Sequence, residues 1–233
     1  MFETWGTPAL DVGITHSYRE PVHRELAGGD VVAVNRHEDG SITALIADIS
    51  AKGSQAEAYA SWLVAVFHVT SAFVSRPSEI LRELNTMLSH AFYDKHAGLF
   101  ASAFMFRIYP AASLVVYSSA GAEPPLLVRH SVVQGPLQGG GQVLGIDRDV
   151  SYLDHAVRIC RNDHIVAFTD GITESRRPLT RSLLGWEGVA EAVQTSMFRS
   201  SPGSDDVFSA IDRLNGGTYY DDATLLVVAA KAT

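Results

Sequence analysis

Apolar residues along this chain follow two spacings: short runs closed off by turn residues, and longer stretches with apolar positions three and four apart. The first spacing predicts strands and the second helices. Asp11 to Tyr18 alternates as a strand does. Gly28-Gly29-Asp30 opens the β-branched run Val31 to Val34, Glu38-Asp39-Gly40 signals a hairpin, and Ile42 to Ile46 returns as its second strand. After Gly53, Ala60, Leu63, Val64, Phe67 and Val74 mark a helix, with Ser54 and Glu57 spaced as a capping box. Pro77 suits the first turn of a second helix whose core face reads Ile80, Leu81, Leu84, Met87, Leu88 and Ala91. Further strands are expected at Phe100 to Tyr109, Leu114 to Ser119, within Ala120 to Val128, at Ser151 to Val157, Ile165 to Thr169 and Ala223 to Ala230. Short helices are expected at Gly185 to Val193 and Ser204 to Leu214. Gly139-Gly140-Gly141 has no helical pattern after it and reads as a flexible loop, not a phosphate cradle. Residues 1–9 look like a loose lead-in, and with no composition break in residues 1–233 a single domain is expected.

The chemistry suggested by this pattern lies at the strand ends. The run Ala44 to Ala47 ends on Asp48, and the chain then turns through Ile49-Ser50-Ala51-Lys52-Gly53. Asp170 closes another apolar run, and Asp221-Asp222 immediately precede the last one. Asp30 and Asp48 each lie nine residues from Asp39, so an antiparallel hairpin sets the two carboxylates opposite each other at its open end. Like charges facing across strands are destabilising, and a cation between them would relieve the cost. If the strand after Asp222 runs antiparallel to the one ending at Asp170, those acids also share one sheet edge. A lone strand-end Asp is more often a turn or cap residue; several in this arrangement suggest a metal site.

Composition narrows the partners. A net charge of −8 on 233 residues leaves no basic stripe for a nucleic-acid backbone, so no nucleic acid is expected. The longest apolar runs are too short to span a bilayer and no signal peptide is visible, so a soluble cytoplasmic protein with no membrane partner is expected. Cys160 is the single cysteine, which excludes an internal disulfide and reads as a packing residue. Lys52 reads as a solvated loop lysine and Asn85 as a helix-surface or capping side chain.

Five segments in order, Gly28-Gly29-Asp30, Ala47 to Gly53, Ala120 to Leu127, Thr169 to Glu174 and Asp221 to Thr224, resemble the metal-dependent serine/threonine phosphatases of the type 2C superfamily. More narrowly, they are similar to the bacterial branch named after the stage II sporulation E protein. The resemblance implies an α+β fold, a four-layer α-β-β-α sandwich of two antiparallel sheets flanked by helices, holding two Mn²⁺ or Mg²⁺ ions. Carried over, Asp48 and Asp170 would be catalytic; Asp30, Asp48, the Ile49 carbonyl, Asp170 and Asp221 would hold the metals; Asp222 and Gly171 would support them. The implied reaction is hydrolysis of phosphoserine or phosphothreonine on a small regulatory partner of the anti-sigma-antagonist type, by a water bridging the metals and without a side-chain nucleophile. Control is expected from a separate regulator protein, from expression level, or not at all. The chain departs from the family pattern at Ala33 (often acidic), Ala51 (often Gly) and Ala122 (often His), and Ser50 stands where eukaryotic relatives carry a His. Water is therefore the expected proton donor. The alternative of a different class is a silent phosphatase-like module that docks a signalling regulator.

Overall fold

The computed structural model describes residues 10–23, 28–92, 99–197 and 202–231, with the side chains of residues 91 and 92 left out. The expected lead-in therefore lies outside the described residues. Ten strands, β1 (Asp11–Arg19), β2 (Asp30–Arg36), β3 (Ile42–Ile49), β4 (Ala101–Tyr109), β5 (Leu114–Ala120), β6 (Leu126–Arg129), β7 (Val132–Pro136), β8 (His155–Arg158), β9 (His164–Phe168) and β10 (Ala223–Lys231), form two sheets. Their orders are β1-β10-β9-β6-β7 and β2-β3-β4-β5-β8, and every named strand pair is antiparallel. Helices α1 (Gly53–Phe73) and α2 (Pro77–Phe92) cover one sheet, while α4 (Gly185–Ser196) and α5 (Ser204–Asn215) cover the other. A single turn, α3 (Asp170–Thr173), follows β9. The result is the α-β-β-α sandwich. No described helix is long and apolar enough to cross a membrane.

This layering explains why the central strands read as continuous apolar runs. In β3, Leu45, Ala47 and Ile49 pack under α1 and α2, while Ile42, Ala44 and Ile46 face the opposite sheet. In β10, Leu225 and Val227 meet α4 and α5, and Leu226, Val228 and Ala230 face inward. A strand covered on both faces has no polar side to alternate with.

Several local expectations change once tertiary neighbours are in place. Helix α1 starts at Gly53 with Lys52 as its N-cap and no side-chain cap bond, so Ser54 sits inside the first turn and the Ser54/Glu57 capping box does not form. Met87 is 41% exposed while Ile80, Leu81 and Leu84 are fully buried. The core face of α2 is rotated toward Asn85, which is itself fully buried and not a surface residue. Its Nδ2 donates to the Asp147 carbonyl at 2.7 Å and its Oδ1 accepts the Gly145 N–H at 2.7 Å, tying that loop to the helix. The strand expected from Ser151 begins only at His155, because Asp154 turns to the start of α2, accepting the Ser78 N–H at 2.7 Å and Arg76 Nε at 2.9 Å. Cys160 is exposed and is not a packing residue: its N–H bonds Asp163 in a turn, which leaves the thiol outside. The Gly139 to Gly141 segment is a loop with no helix after it, pinned by a 3.0 Å bond from the Gly121 N–H to the Gly140 carbonyl.

Removing the amide of Asn85 strips partners from one backbone donor and one acceptor at once. Asn85→Ala is expected to lower unfolding free energy by about 1–3 kcal/mol, whereas Met87→Ala on the exposed side should change it by less than about 0.5 kcal/mol. Urea denaturation of the two variants beside wild type measures the contrast.

Candidate functional site

The β2–β3 hairpin pairs Asp30 directly with Asp48, in register down to Arg36 with Ile42. In the other sheet, β9 and β10 pair Phe168 with Leu225, which sets Asp170 just past one strand and Asp221-Asp222 just before its neighbour. Cross-sheet bonds bring the two ends together. The Thr169 hydroxyl donates to Asp30 Oδ2 at 2.8 Å while accepting the Thr224 N–H at 2.9 Å. Asp222, 3% exposed, accepts the Gly28 and Gly29 N–H groups on Oδ2 at 2.7 and 2.8 Å and the Tyr18 hydroxyl on Oδ1. All six acids and carbonyls expected at this site thus arise from strand ends on one edge of the sandwich, and Asp222 fastens that edge.

Two glycines permit the crowding. A Cβ on Gly29 would stand 2.7 Å from the Ile49 carbonyl oxygen and 2.8 Å from Asp48 Oδ1, so these two expected ligand oxygens converge on space that only glycine leaves open. A Cβ on Gly171 would overlap the Asp222 carbonyl oxygen, so the Asp170–Gly171 turn packs directly against the Asp221–Asp222 backbone.

The electrostatics are those of acids forced together. Burial pushes the Asp48 carboxyl up to about 7, and the charges of Asp170 and Asp221 add to it while Lys52 opposes. Burial also raises Asp170, with Asp221 as the next cause. Asp30 is driven well above the usual carboxylate range by burial and by Asp48, against hydrogen bonds from Thr224 and Thr169. Its Oδ1 is buried without a hydrogen-bond partner among the described residues. Lys52 is not simply solvated: its ammonium reaches both oxygens of Asp221, at 2.5 and 2.6 Å, and both side chains are close to half-exposed.

This donor set fits a hard divalent cation, which prefers carboxylate and carbonyl oxygens. The partnerless Asp30 Oδ1, the converging Asp48 and Ile49 oxygens, and the mutually raised acids all point the same way. Among the described residues, however, no group of three or more His, Cys, Asp or Glu side chains is gathered tightly enough to hold a metal ion as it stands. Asp221 faces Lys52 instead.

A cavity of about 320 Å³ opens beside Asp48 and Asp170, with Ser102, Ala122, Glu123 and Val143 in its walls. Glu123 escaped the sequence reading although it lies inside a quoted motif; burial and then the charge of Asp170 raise its carboxyl. Thr169 also escaped notice, and the signal was there: a hydroxyl next to a strand-end acid. Ala122 lines the cavity, while Ala33 lies under the α1–α2 layer and contributes nothing polar to the site. The Ser50 hydroxyl accepts the Phe100 N–H at 2.9 Å.

Residues 38–231 match the family described as stage II sporulation protein E (SpoIIE). The phosphoserine phosphatase RsbU of Bacillus subtilis (strain 168) is 26% identical over 193 residues, which are 82% of this chain and 56% of that protein. The chain thus spans little more than half the length of that relative. The solved structure of the RsbU and RsbW domains of Rv1364c from Mycobacterium tuberculosis matches with a TM-score of 0.77 at 22% identity, covering 96% of this chain and 62% of that one. The PP2C phosphatase domain of SpoIIE from Bacillus subtilis matches with a TM-score of 0.77 at 16% identity, covering 96% of this chain and 64% of that one. At such identities the structures speak for the fold, and it is the same sandwich. With the family match running from the hairpin turn to the last strand, the chain belongs to the SpoIIE family of PP2C-type phosphatase domains.

Proposed function

We propose that this protein is a metal-dependent phosphoprotein phosphatase that removes phosphate from phosphoserine or phosphothreonine on a small regulatory partner of the anti-sigma-antagonist kind, acting in the cytoplasm as one phosphatase domain. The observation that carries this reading is the convergence of Asp30, Asp48, Asp170 and Asp221 at one edge of the sandwich, with Asp48 pushed up to about 7 by burial and then by the charges of Asp170 and Asp221. RsbU, the relative described as a phosphoserine phosphatase, supports the substrate class.

Two Mn²⁺ or Mg²⁺ ions would be held by Asp30, Asp48 and the Ile49 carbonyl on one side and by Asp48, Asp170 and Asp221 on the other. When bound, such ions supply Lewis acidity at phosphoryl oxygens and lower the pKa of water. The protein's own part is positional. Asp48 stands between the two groups of ligands, and Asp222 and Gly171 fix the backbone that presents Asp30, Asp170 and Asp221. Asp221 must give up Lys52 to serve a metal, which frees an ammonium beside the phosphate's approach. The cavity next to Asp48 and Asp170 gives a phosphoseryl side chain a walled entry. One observation favours the alternative of a silent docking module: Lys52 already occupies one of the expected ligands, Asp221, without metal.

Three measurements bear on this reading. Purified protein is expected to hydrolyse p-nitrophenyl phosphate and a phosphoserine peptide with Mn²⁺ or Mg²⁺ and to stop in excess chelator; turnover that survives chelation rules out the metal mechanism, and metal binding with no turnover favours the silent module. Asp48→Asn and Asp170→Asn should each lower turnover by about two orders of magnitude with circular dichroism unchanged, while Lys52→Ala should cost less than about tenfold. The third is pH dependence in chelator. Since Asp48 titrates near 7 in the folded state and near 3.8 ordinarily, the metal-free fold binds a proton that the unfolded chain has lost between those values. Its stabilising contribution is full below the lower value and disappears as pH rises through the upper one. The melting temperature in chelator should therefore rise from about pH 8 to about pH 5.5 by several degrees more in wild type than in Asp48→Asn; equal slopes would remove Asp48 from the cluster.

A further inference from the structure

Beyond Asp170 the chain makes a compact loop before α4. Arg176 bridges to Leu183, the Arg177 N–H bonds the Ser182 carbonyl at 3.0 Å, and the Leu184 N–H bonds the Ser175 carbonyl at 2.7 Å. Three arginines, Arg176, Arg177 and Arg181, fall within this loop of a chain whose net charge is −8. Arg177 is committed to Glu191 at 2.8 Å. Arg176 Nη1 donates to the Arg181 carbonyl at 2.9 Å and ties the two ends of the loop together. The Arg181 guanidinium has no carboxylate within ion-pair distance among the described residues.

Arg176 and Arg181 line a cavity of about 660 Å³ that also includes Gly171, Glu174, Leu183, Tyr220 and Asp221. A smaller hollow of about 290 Å³ adjoins it and shares Arg176, Arg181 and Tyr220. The cleft is thus acidic where it meets the proposed metal ligands and basic at its outer end. Tyr220 and Leu183, 48% and 50% exposed, add apolar surface along the way.

We propose that this cleft is where the phosphoprotein substrate docks, and that Arg181, with Arg176, recognises acidic side chains flanking the phosphorylated residue. The proposal rests on the phosphatase reading above and adds the substrate's local charge to it. The charge pattern selects the occupant. An acidic segment is repelled by most of a molecule with net charge −8, so a local pair of guanidiniums decides where it lands. Guanidinium forks match carboxylates in geometry as well as charge. The phosphoryl group itself belongs beside Asp48 and Asp170, whereas the arginines line a separate cavity that reaches Gly171 and Asp221, where flanking residues would lie.

The test uses the full chain with Mn²⁺ and two phosphoserine peptides, one with Asp and Glu flanks and one with Ala in their place. Wild type is expected to favour the acidic peptide by about tenfold in kcat/KM, mainly through KM. Arg181→Gln should abolish that preference and Arg181→Glu reverse it, while p-nitrophenyl phosphate turnover and inhibition by inorganic phosphate stay unchanged. A preference that persists in both variants overturns the proposal, as does an equal loss on p-nitrophenyl phosphate, which would mean a general effect on the site. Failure of the phosphatase reading shows separately, as no turnover of p-nitrophenyl phosphate by wild type with any metal. Fluorescence anisotropy of the labelled acidic peptide decides the cleft in that case too: binding to wild type weakened about tenfold in Arg181→Glu supports it, and equal binding overturns it.

Discussion

The carboxylate of Asp222 joins the two sheets at the edge where the acids gather. Its two oxygens are spent on the Gly28 and Gly29 N–H groups and the Tyr18 hydroxyl, so it draws the loop before β2 and the end of β1 onto the start of β10. Everything else at the edge depends on that closure. Asp30 follows directly from Gly29, and its partner Asp48 is set by hairpin register. A buried carboxylate with three donors is stable only when all are present, so the closure specifies one relative placement of the sheets. The close packing of Gly171 against the Asp222 carbonyl enforces the same placement from the other side.

Such a site is costly to the protein without cations. Carboxylates drawn together in partial burial oppose one another, and the chain accommodates them in two ways. Asp30 and Asp48 shift toward their protonated forms, and Lys52 brings a tethered positive charge to Asp221. Both accommodations are reversible, since a proton can leave and an exposed ion pair is weak. The partnerless Asp30 Oδ1 retains an unmet demand of the kind that functional sites carry and cores do not. The edge is therefore strained in charge rather than in backbone, which suits a site that gains stability on binding a cation.

Charge is also segregated along the surface. Acids dominate the chain as a whole, and the arginines of the loop after α3 form a local exception beside Asp221. A site that needs negative ligands for its cations and positive groups for its substrate has to keep the two apart, or they neutralise each other. The loop achieves this by holding Arg176 through its own backbone and Arg177 through Glu191.

What the sequence determined by itself was whatever local periodicity and short loops control. The facing of Asp30 and Asp48 followed from counting about Asp39, because a hairpin's register is settled by its turn. The start of α2 at Pro77 and the placing of four acids at strand ends were legible for the same reason, whereas the antiparallel pairing of β10 with β9 was a condition that the sequence left open and the folded chain supplies. The edge strand β7 was not, since a five-residue polar-facing strand has little apolar signal to read. Only the tertiary structure decided the burial of Asn85, the exposure of Met87 and Cys160, the recruitment of Asp154 to α2, the pairing of Lys52 with Asp221 and the entry of Glu123 into the cavity wall. Each of these depends on a partner dozens of residues away or on how a loop packs, and side-chain polarity alone does not say which distant backbone group or charge will be there to meet it.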